Sequence, residues 1–550
     1  MYLALAAWGL EVAVDVALGG RRLRTLFPLW RRDPLALAAG LWAVTVIVCA
    51  CAAPDDRPAC LKFALRTLSG VLVFFAVRAK GRSPEVARYV SFALIGGAVV
   101  AALTALGESW SPWVSEALAE LRHGSFDAFG LHRSSGVFAY PTIAAMYWEA
   151  VLPLVVVAPL VFPAQDVTKA RRAVLGSTIC LVLLFGAILA SATRSSLVGG
   201  AVACGALAVV GRGWDAPLPR AGARALLVLG VTSAIALASP GAGSLLGQRL
   251  EFWHDDAWYG VTYEVHGVPE AVKRGELFRT RVTLRNTGTI AWRREGDQPT
   301  RLSYRWYTVA SGVARLPLAP EGRRTTLPVD VPPGGVVEVV AVARAPLADG
   351  SYLLDWDLVQ EDVTWFSDRG CKTPEARVVV AGAADADVAS YPSESPRSAA
   401  LPPPPSRSAL WHAAVVLFAE HPLFGVGPDN FRRRYEAVLS PAPTGEPYAD
   451  TRVHANSLYF ETLADLGLLG VVALAVLMVA WVRALGVAAA ERNVLGLGFG
   501  VASGTFFVHG LSDYFLEFTP VFALFWMLLG LLAAHGQRHA EAPVPRDSTS

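Results

Sequence analysis

The chain has 550 residues, of which 53% are hydrophobic and 17% charged, with 16 Trp, a net charge of only +2 and a mean hydropathy of +0.41. That balance departs from the soluble-protein mix toward a multi-pass membrane protein and excludes a global basic field for nucleic acid, so the arginines matter by where they sit. The six Cys show no metal-ligand spacing.

Residues 1–19, MYLALAAWGLEVAVDVALG, lack the basic start and small-residue cleavage site of a signal peptide and read as a first span interrupted by Glu11 and Asp15. Apolar runs of spanning length follow at about 34–54, 60–78, 86–107, 137–162, 173–192, 195–211, 221–239, 458–482, 494–513 and 519–535. The expectation is about eleven spans, within a range of ten to twelve. Basic clusters at Arg21–Arg32, at Arg78, Lys80, Arg82 and Arg88, at Lys169, Arg171 and Arg172, at Arg212, Arg220 and Arg224, and at Arg483 and Arg492 all fall in the cytoplasm if the N-terminus is outside. The same topology exports residues 240–455 and leaves Arg133 and Arg194 at external span ends. Cys49, Cys180 and Cys204 read as small apolar packers, and Cys51 and Cys60 flank a turn short enough to allow a disulfide.

Between about 258 and 382 the pattern changes to short period-two runs broken by Pro, Gly, Asn and Asp, as in VTYEVHGVPEAVKRGELFRTRVTLRNTGTIAW, which predicts a self-contained β-sandwich. TLRNTGTIAW and DGSYLLDWDLVQEDVTWF resemble the immunoglobulin-like domain of the next-to-BRCA1 type. Trp292, Trp306, Trp356 and Trp365 read as core or strand-face residues before a sugar-stacking platform, and Cys371 as structural. Residues 383–406 form a Pro/Ser-rich linker with a stiff PPPP stretch, and 537–550 a disordered tail.

SRSALWHAAVVLFAEHPLFGVGPDNFRRRYEA then predicts a helix ending before Pro422, a turn allowed by Gly425 and Gly427, and a second helix for which Asp429 is a candidate cap. RVHANSLYFETLADLGLLG places Arg452, His454 and Asn456 immediately before an apolar run and Glu461 and Asp465 on one face of its first turns. A carboxylate so near hydrocarbon marks a candidate site, though pairing with an Arg would also explain it. Arg133, Arg194 and the segment from Arg407 to Glu461 bring polar groups to one external face. Each arginine alone could simply snorkel, whereas a set of them fits diphosphate oxygens. A neutral His454 could take a proton from a sugar hydroxyl or be a hydrogen-bonded interface residue, and Asn456 could orient a hydroxyl or cap a helix.

LWHAAVVLFAEHPLFGVGPDNFRRRY with HANSLYFETLADLGLLG resembles the C-terminal signature of the O-antigen ligase and polymerase superfamily, through Trp411, His421, Pro422, Gly425, Gly427, Phe431, Arg432, His454, Gly467 and Gly470. Asn456 and Ser457 stand where the inner His-Asn of that signature is found. RSSGVFAYPT, ATRSSLVG and FFVHGLSDYFLEFTP are similar to further elements of the family. The resemblance implies a polytopic all-α membrane protein of the bacterial inner membrane with an inserted periplasmic immunoglobulin-like sandwich. Its parts are an N-terminal bundle (1–240), the insertion (258–382), the linker (383–406), an active-face segment (407–455) and C-terminal helices (456–536). The implied activity is a metal-independent, inverting transfer of a glycan from undecaprenyl diphosphate to an acceptor hydroxyl on another glycan, lipid A-core or a protein. His454, Arg194, Asn456 and Glu461 are the candidate catalytic residues, and Arg133, Arg194, Arg407, Arg432, Arg452, His509 and Asp513 the candidate diphosphate and substrate ligands. No cofactor, metal or nucleic acid is expected; membrane lipids are, and the sandwich is a candidate site for an assembly partner. A polymerase shares these signatures, and a polysaccharide exporter or flippase is the rival of another class; an exporter would carry charges along a route to both faces.

Overall fold

The structure, a computed structural model, describes residues 33–122, 127–128, 131–161, 166–210, 217–239, 258–295, 299–308, 322–361, 364–382, 405, 407–439 and 453–535. The expected first span, the Arg21–Arg32 cluster, the linker apart from Pro405, Arg452 and the tail lie outside them. The chain divides into two compact units, one of Met1–Phe126, Arg133–Leu246 and Pro405–Ser550 and one of Asp127–His132 and Gly247–Pro404.

In the first unit the apolar runs among the described residues become helices, several of them started by a cap or a proline. α1 (Pro34–Ala52) begins where Asp33 accepts from the Leu35 amide at 3.0 Å, with a proline where no amide donor is needed. α2 (Arg57–Lys80), α3 (Pro84–Trp110), α4 (Pro112–Arg122), α5 (Pro141–Val161), α6 (Val167–Ala190), α7 (Arg194–Val210) and α8 (Leu218–Ala238) follow. After the second unit come α9 (Arg407–Glu420), α10 (Phe431–Leu439), α11 (Leu458–Ala490), α12 (Val494–His509) and α13 (Thr519–His535).

Seven of these helices, α1, α2, α3, α5, α6, α8 and α11, are long and apolar enough to cross a membrane. Among the described residues three further apolar helices are shorter: α7, α12 and α13 are 17, 16 and 17 residues long. At 1.5 Å per residue they extend about 25 Å, less than a hydrocarbon core of about 30 Å. Leu37, Val44, Leu103, Val231 and Val472 stay exposed on the outer helix faces, as lipid-facing residues of such a bundle would. α5 is the most enclosed span, with 78% of its apolar window buried. Small residues permit the close approaches: Gly70 of α2 faces Phe522 and Trp526 of α13 so tightly that a Cβ would meet their rings at 2.4 Å. Cys51 and Cys60 are unbonded, the first exposed and the second buried.

Alternation of the helices gathers the 53–56, 133–140, 191–193, 453–457 and 510–518 segments at one end of the bundle. Contacts tie them together there: Arg133 Nε donates to the Ser191 carbonyl at 3.0 Å, Asn430 Nδ2 to Asp55 O at 3.1 Å, and the Leu458 amide to Gly510 O at 2.7 Å. At the opposite end Arg78 pairs with Asp33 at 2.6 Å and Asn493 Nδ2 donates to His535 O at 3.1 Å.

The second unit is built from strands β1 (Asp127–Ala128), β2 (Leu131–His132), β3 (Val261–His266), β4 (Ala271–Val272), β5 (Leu277–Asn286), β6 (Thr300–Thr308), β7 (Thr325–Thr326), β8 (Val336–Arg344), β9 (Gly350–Gln360), β10 (Thr364–Trp365) and β11 (Glu375–Val380). β1 and β2 pair only with each other. One antiparallel sheet has the order β3-β5-β8; the other has the order β4-β11-β9-β6-β7 with β10 on β9, and β4 joins it parallel to β11. Period two decides the faces. In LFRTRVTLRN, Phe278, Thr280, Val282, Leu284 and Asn286 are buried while Leu277, Arg279, Arg281 and Arg285 are exposed. Both sheets contribute to one core, around Trp292, Trp306 and Trp356. Trp365 is also buried, with the guanidiniums of Arg305 and Arg324 at 3.7 and 4.7 Å from its ring centre. None of the four expected tryptophans offers a free face to a sugar; Cys371 packs against the core half-buried.

Candidate active site

The apolar run after Ser457 does not continue as one straight helix. Gly467 adopts φ 59° and ψ −154°, so α11 is a short leading piece followed by a long span. The turn after α9, HPLFGVG, fills the break. The Leu468 and Leu469 amides donate to the Pro422 and Leu423 carbonyls at 2.8 and 3.2 Å, and the Val426 and Gly427 amides donate to Ala464 and Asp465 O at 2.9 Å each. Gly425, at φ 69°, lies where a Cβ would meet the Asp465 backbone at 2.3 Å. The glycines of the two sequence motifs therefore answer each other across one interface.

This packing gives the two carboxylates of the leading piece separate tasks. Buried Asp465 accepts from the Asp429 and Phe431 amides at 2.7 and 2.8 Å and thereby holds the start of α10. Asp429, the expected cap, instead pairs with Arg432 at 2.6 Å. The next two arginines, Arg433 and Arg434, pair with Asp56 at 2.9 Å and with Asp55, fastening α10 to the turn between α1 and α2.

Glu461, with 0% exposure, turns back toward the entering chain. Its Oε1 lies 2.6 Å from His454 Nδ1, and its Oε2 accepts the Ala455 amide at 2.6 Å. Trp411 Nε1 donates to Ala455 O at 3.0 Å and its ring stacks on Phe460 at 4.9 Å, so α9 braces the same loop. On the other side of the imidazole, Glu517 Oε2 lies 3.0 Å from Nε2, close but off the N–H axis, which makes it an ion pair and not a directed hydrogen bond. Burial lowers the His454 pKa, but Glu461 and then Glu517 outweigh it and raise it to about 11. That direction favours the charged imidazolium over the neutral ring that a base would need. Burial pushes Glu517 up, yet its contact with His454 and the charges of Arg432 and Arg66 hold it below the ordinary carboxylate value.

A second group surrounds the ends of α6 and α12. Arg133 is held by Ser191 O, as above, and by Thr193 Oγ1 at 3.4 Å, beside the Tyr140 ring at 5.8 Å. Burial lowers its pKa, and Tyr140 and Asp513 oppose the shift, so Asp513 faces it. Glu108 fixes that segment from below by accepting the Ser135 and Gly136 amides at 2.9 and 2.8 Å while pairing with Arg122 at 2.6 Å. His509 lies 2.8 Å from Glu149, 3.1 Å from Ser195 Oγ and 3.9 Å from Asp513. Arg194, half-buried, starts α7 immediately before Ser195.

The segment 510–518 links the groups. Gly510 O accepts the Leu458 amide; Ser457 Oγ donates to the same oxygen at 3.3 Å. Asp513 reaches His509, Tyr514 lies with its ring 5.1 Å from His454, and Glu517 completes the ion pair. The structure thus brings together His454, Glu461, Arg432, His509, Asp513, Arg133 and the start of α7 at Arg194. Asn456, half-buried at φ 49°, makes the turn before α11, and Arg407 lies exposed in the first turn of α9. Arg452 is outside the described residues.

Four contributors were absent from the sequence reading: Glu517, Tyr514, Arg66 and Glu149. Arg66 donates to the Glu517 carbonyl and to Thr519 Oγ1 at 3.3 Å. A charge inside a spanning run was the available signal for Arg66 and Glu149. Glu517, between two apolar helices, carried the same signal more weakly.

Residues 379–475 match the family model described as O-Antigen ligase. The match supports the O-antigen ligase superfamily for this chain. It takes in α9, α10, His454, Glu461, Asp465 and the break in α11, which is the built part of the O-antigen ligase segment. The search of curated proteins finds no match. Among solved structures, a beta-glucosidase from Listeria innocua in complex with glucose is 14% identical over 22% of this chain and 16% of its own, with a TM-score of 0.15. The sporulation control protein Spo0M from Bacillus subtilis is 14% identical over 22% of this chain and 49% of its own, and the alkylpurine DNA glycosylase AlkC of Pseudomonas fluorescens bound to DNA is 12% identical over 64% and 97%, each with a TM-score of 0.15. This chain spans about a sixth of that beta-glucosidase, and likenesses at this TM-score carry no argument about fold or function.

Proposed function

We propose that the protein transfers a glycan from undecaprenyl diphosphate to an acceptor hydroxyl at the periplasmic face of the bacterial inner membrane, as an O-antigen ligase-like, metal-independent, inverting glycosyltransferase. The observation that carries this reading is the joining, through segment 510–518, of a buried imidazole–carboxylate group with arginines at one end of an apolar bundle. The lipid tail runs beside the spans and its diphosphate rests against Arg194 and Arg133. There the guanidiniums offset the charge that grows on the leaving group. The acceptor enters beside His454, and direct attack on the anomeric carbon inverts its configuration. Arg432 extends the cationic lining; Arg407, Arg452, His509, Asp513 and Asn456 keep their expected substrate and positioning roles.

The basic clusters at the opposite end of the bundle support an inside location for that end and a periplasmic one for the site. The β unit is proposed to be an immunoglobulin-like insertion in the large periplasmic loop that contacts the acceptor or an assembly partner. Ligase is favoured over polymerase, with lipid A-core, another glycan or a protein as acceptor. The test is reconstitution of the full chain with a lipid-linked glycan pool: the account expects release of undecaprenyl diphosphate that EDTA leaves unchanged, and chelator-sensitive release contradicts the metal-independent step.

A further inference from the structure

We propose that Glu517, and not His454, accepts the proton of the attacking hydroxyl, while His454 serves as a fixed cation beside it. The inference rests on the transferase reading above. A ring nitrogen that acts as a base needs a free lone pair. Here Nδ1 lies 2.6 Å from Glu461 and Nε2 3.0 Å from Glu517; although the second contact is an ion pair and not a directed hydrogen bond, a bare lone pair on either nitrogen would face a carboxylate oxygen across that gap, which the doubly protonated ring avoids. Glu461 is equally committed: it is fully buried, with one oxygen on the imidazole and the other on the Ala455 amide.

Glu517 differs on each count. Its side chain is 32% exposed, it sits on the segment between two helices at the open end of the bundle, and only Oε2 faces the imidazole. Among the described residues no protein donor engages Oε1. Arg66 and Arg432, from α2 and α10, surround it with positive charge, as does His454 from the entry to α11. These cations keep the carboxylate ionised, which makes it a weak but always available base. Its contribution belongs at the lower end of general-base effects, on the order of 100-fold.

The step balances without a co-reactant. A lone pair of the acceptor oxygen forms the new bond to the anomeric carbon. The bond from that carbon to the phosphate oxygen breaks, and its electron pair leaves with the diphosphate. The acceptor proton passes to Glu517, and the imidazolium and guanidiniums face the departing negative charge. No centre changes oxidation state.

The test uses membranes that hold their own undecaprenyl-linked glycan, from cells lacking the native copy and supplied with the full-length chain, and measures undecaprenyl diphosphate released. Glu517→Ala is expected to slow release roughly 100-fold with the melting temperature in detergent retained, and formate, a small carboxylate, to restore part of it. His454→Ala is expected to lose release, and any rescue by imidazole to fade as pH rises above 7 and the added ring loses its charge. Glu517→Ala at the wild-type rate, absence of formate rescue in the folded variant, or rescue of His454→Ala by imidazole that grows as pH rises above 7, as a neutral base requires, overturns the assignment. A wild-type chain that leaves the lipid-linked glycan untouched overturns the transferase reading itself, and so the two failures are told apart.

Discussion

A histidine between two carboxylates is a different reagent from a histidine at a helix entrance. The ordinary imidazole changes charge near pH 6.5, within the range where an enzyme works. In this chain Glu461 and Glu517, with the Tyr514 ring alongside, raise His454 to about 11. Because the folded value is raised, the pairing stabilises the site fully below the unfolded value and is lost only as pH climbs through the folded one. The rate of transfer should therefore show no inflection near pH 6.5, and a rise through that pH in a full-length preparation contradicts the imidazolium assignment. Replacing the inner partner should expose the difference. Glu461→Gln removes the nearest negative charge, so the His454 value falls toward the ordinary one, and an inflection should enter the neutral range along with a loss of rate of at least tenfold, about 1.4 kcal/mol of barrier.

At the scale of elements, the site depends on one broken helix and the turn that fills the break. The spacing of Gly425, Gly427, Gly467 and Gly470 was visible in the sequence, as was the placing of Glu461 and Asp465 on one face. What spacing could not reveal is that Gly425 and Gly467 meet. Contacts between residues 42 apart in sequence, as Gly425 and Gly467 are, depend on how two helices dock, and a local pattern is silent about that. For the same reason Asp429 read as a cap while Asp465, from another helix, does the capping. Gly467→Ala must place a Cβ 2.6 Å from the Gly425 amide at a φ of 59°, and should destabilise the protein by at least about 2 kcal/mol. Gly486→Ala, in the same helix with nothing within 4 Å, should be neutral or stabilise it by up to about 1 kcal/mol. Thermal unfolding in detergent compares the two, and equal melting temperatures contradict the docking argument.

For the whole molecule, hydropathy located the described apolar helices with most ends within four residues, because the requirement for an unbroken apolar run is written locally; the start of α6 and the end of α11 lie six and eight residues outside the expected runs. The ends were less legible. α12 stops at His509, ahead of the expected 513, since Gly510 leaves the helix to hold the start of α11. Period-two runs fall where the strands of the β unit are, and Trp292, Trp306, Trp356 and Trp365 are buried, as aromatic residues of a core would be, while Arg133 and Arg194 were picked out as charges at span ends. Glu517 and Arg66 were missed because their importance lies in a contact between α2 and the segment before α13. The central claim is that these groups act together on a lipid-linked glycan. Its most direct test is the undecaprenyl-linked pool in cells from which this chain has been removed: the account predicts long glycan chains accumulating on the lipid while the acceptor goes unmodified. Accumulated single units would assign a polymerase instead, and a pool unchanged in size and chain length would contradict the account.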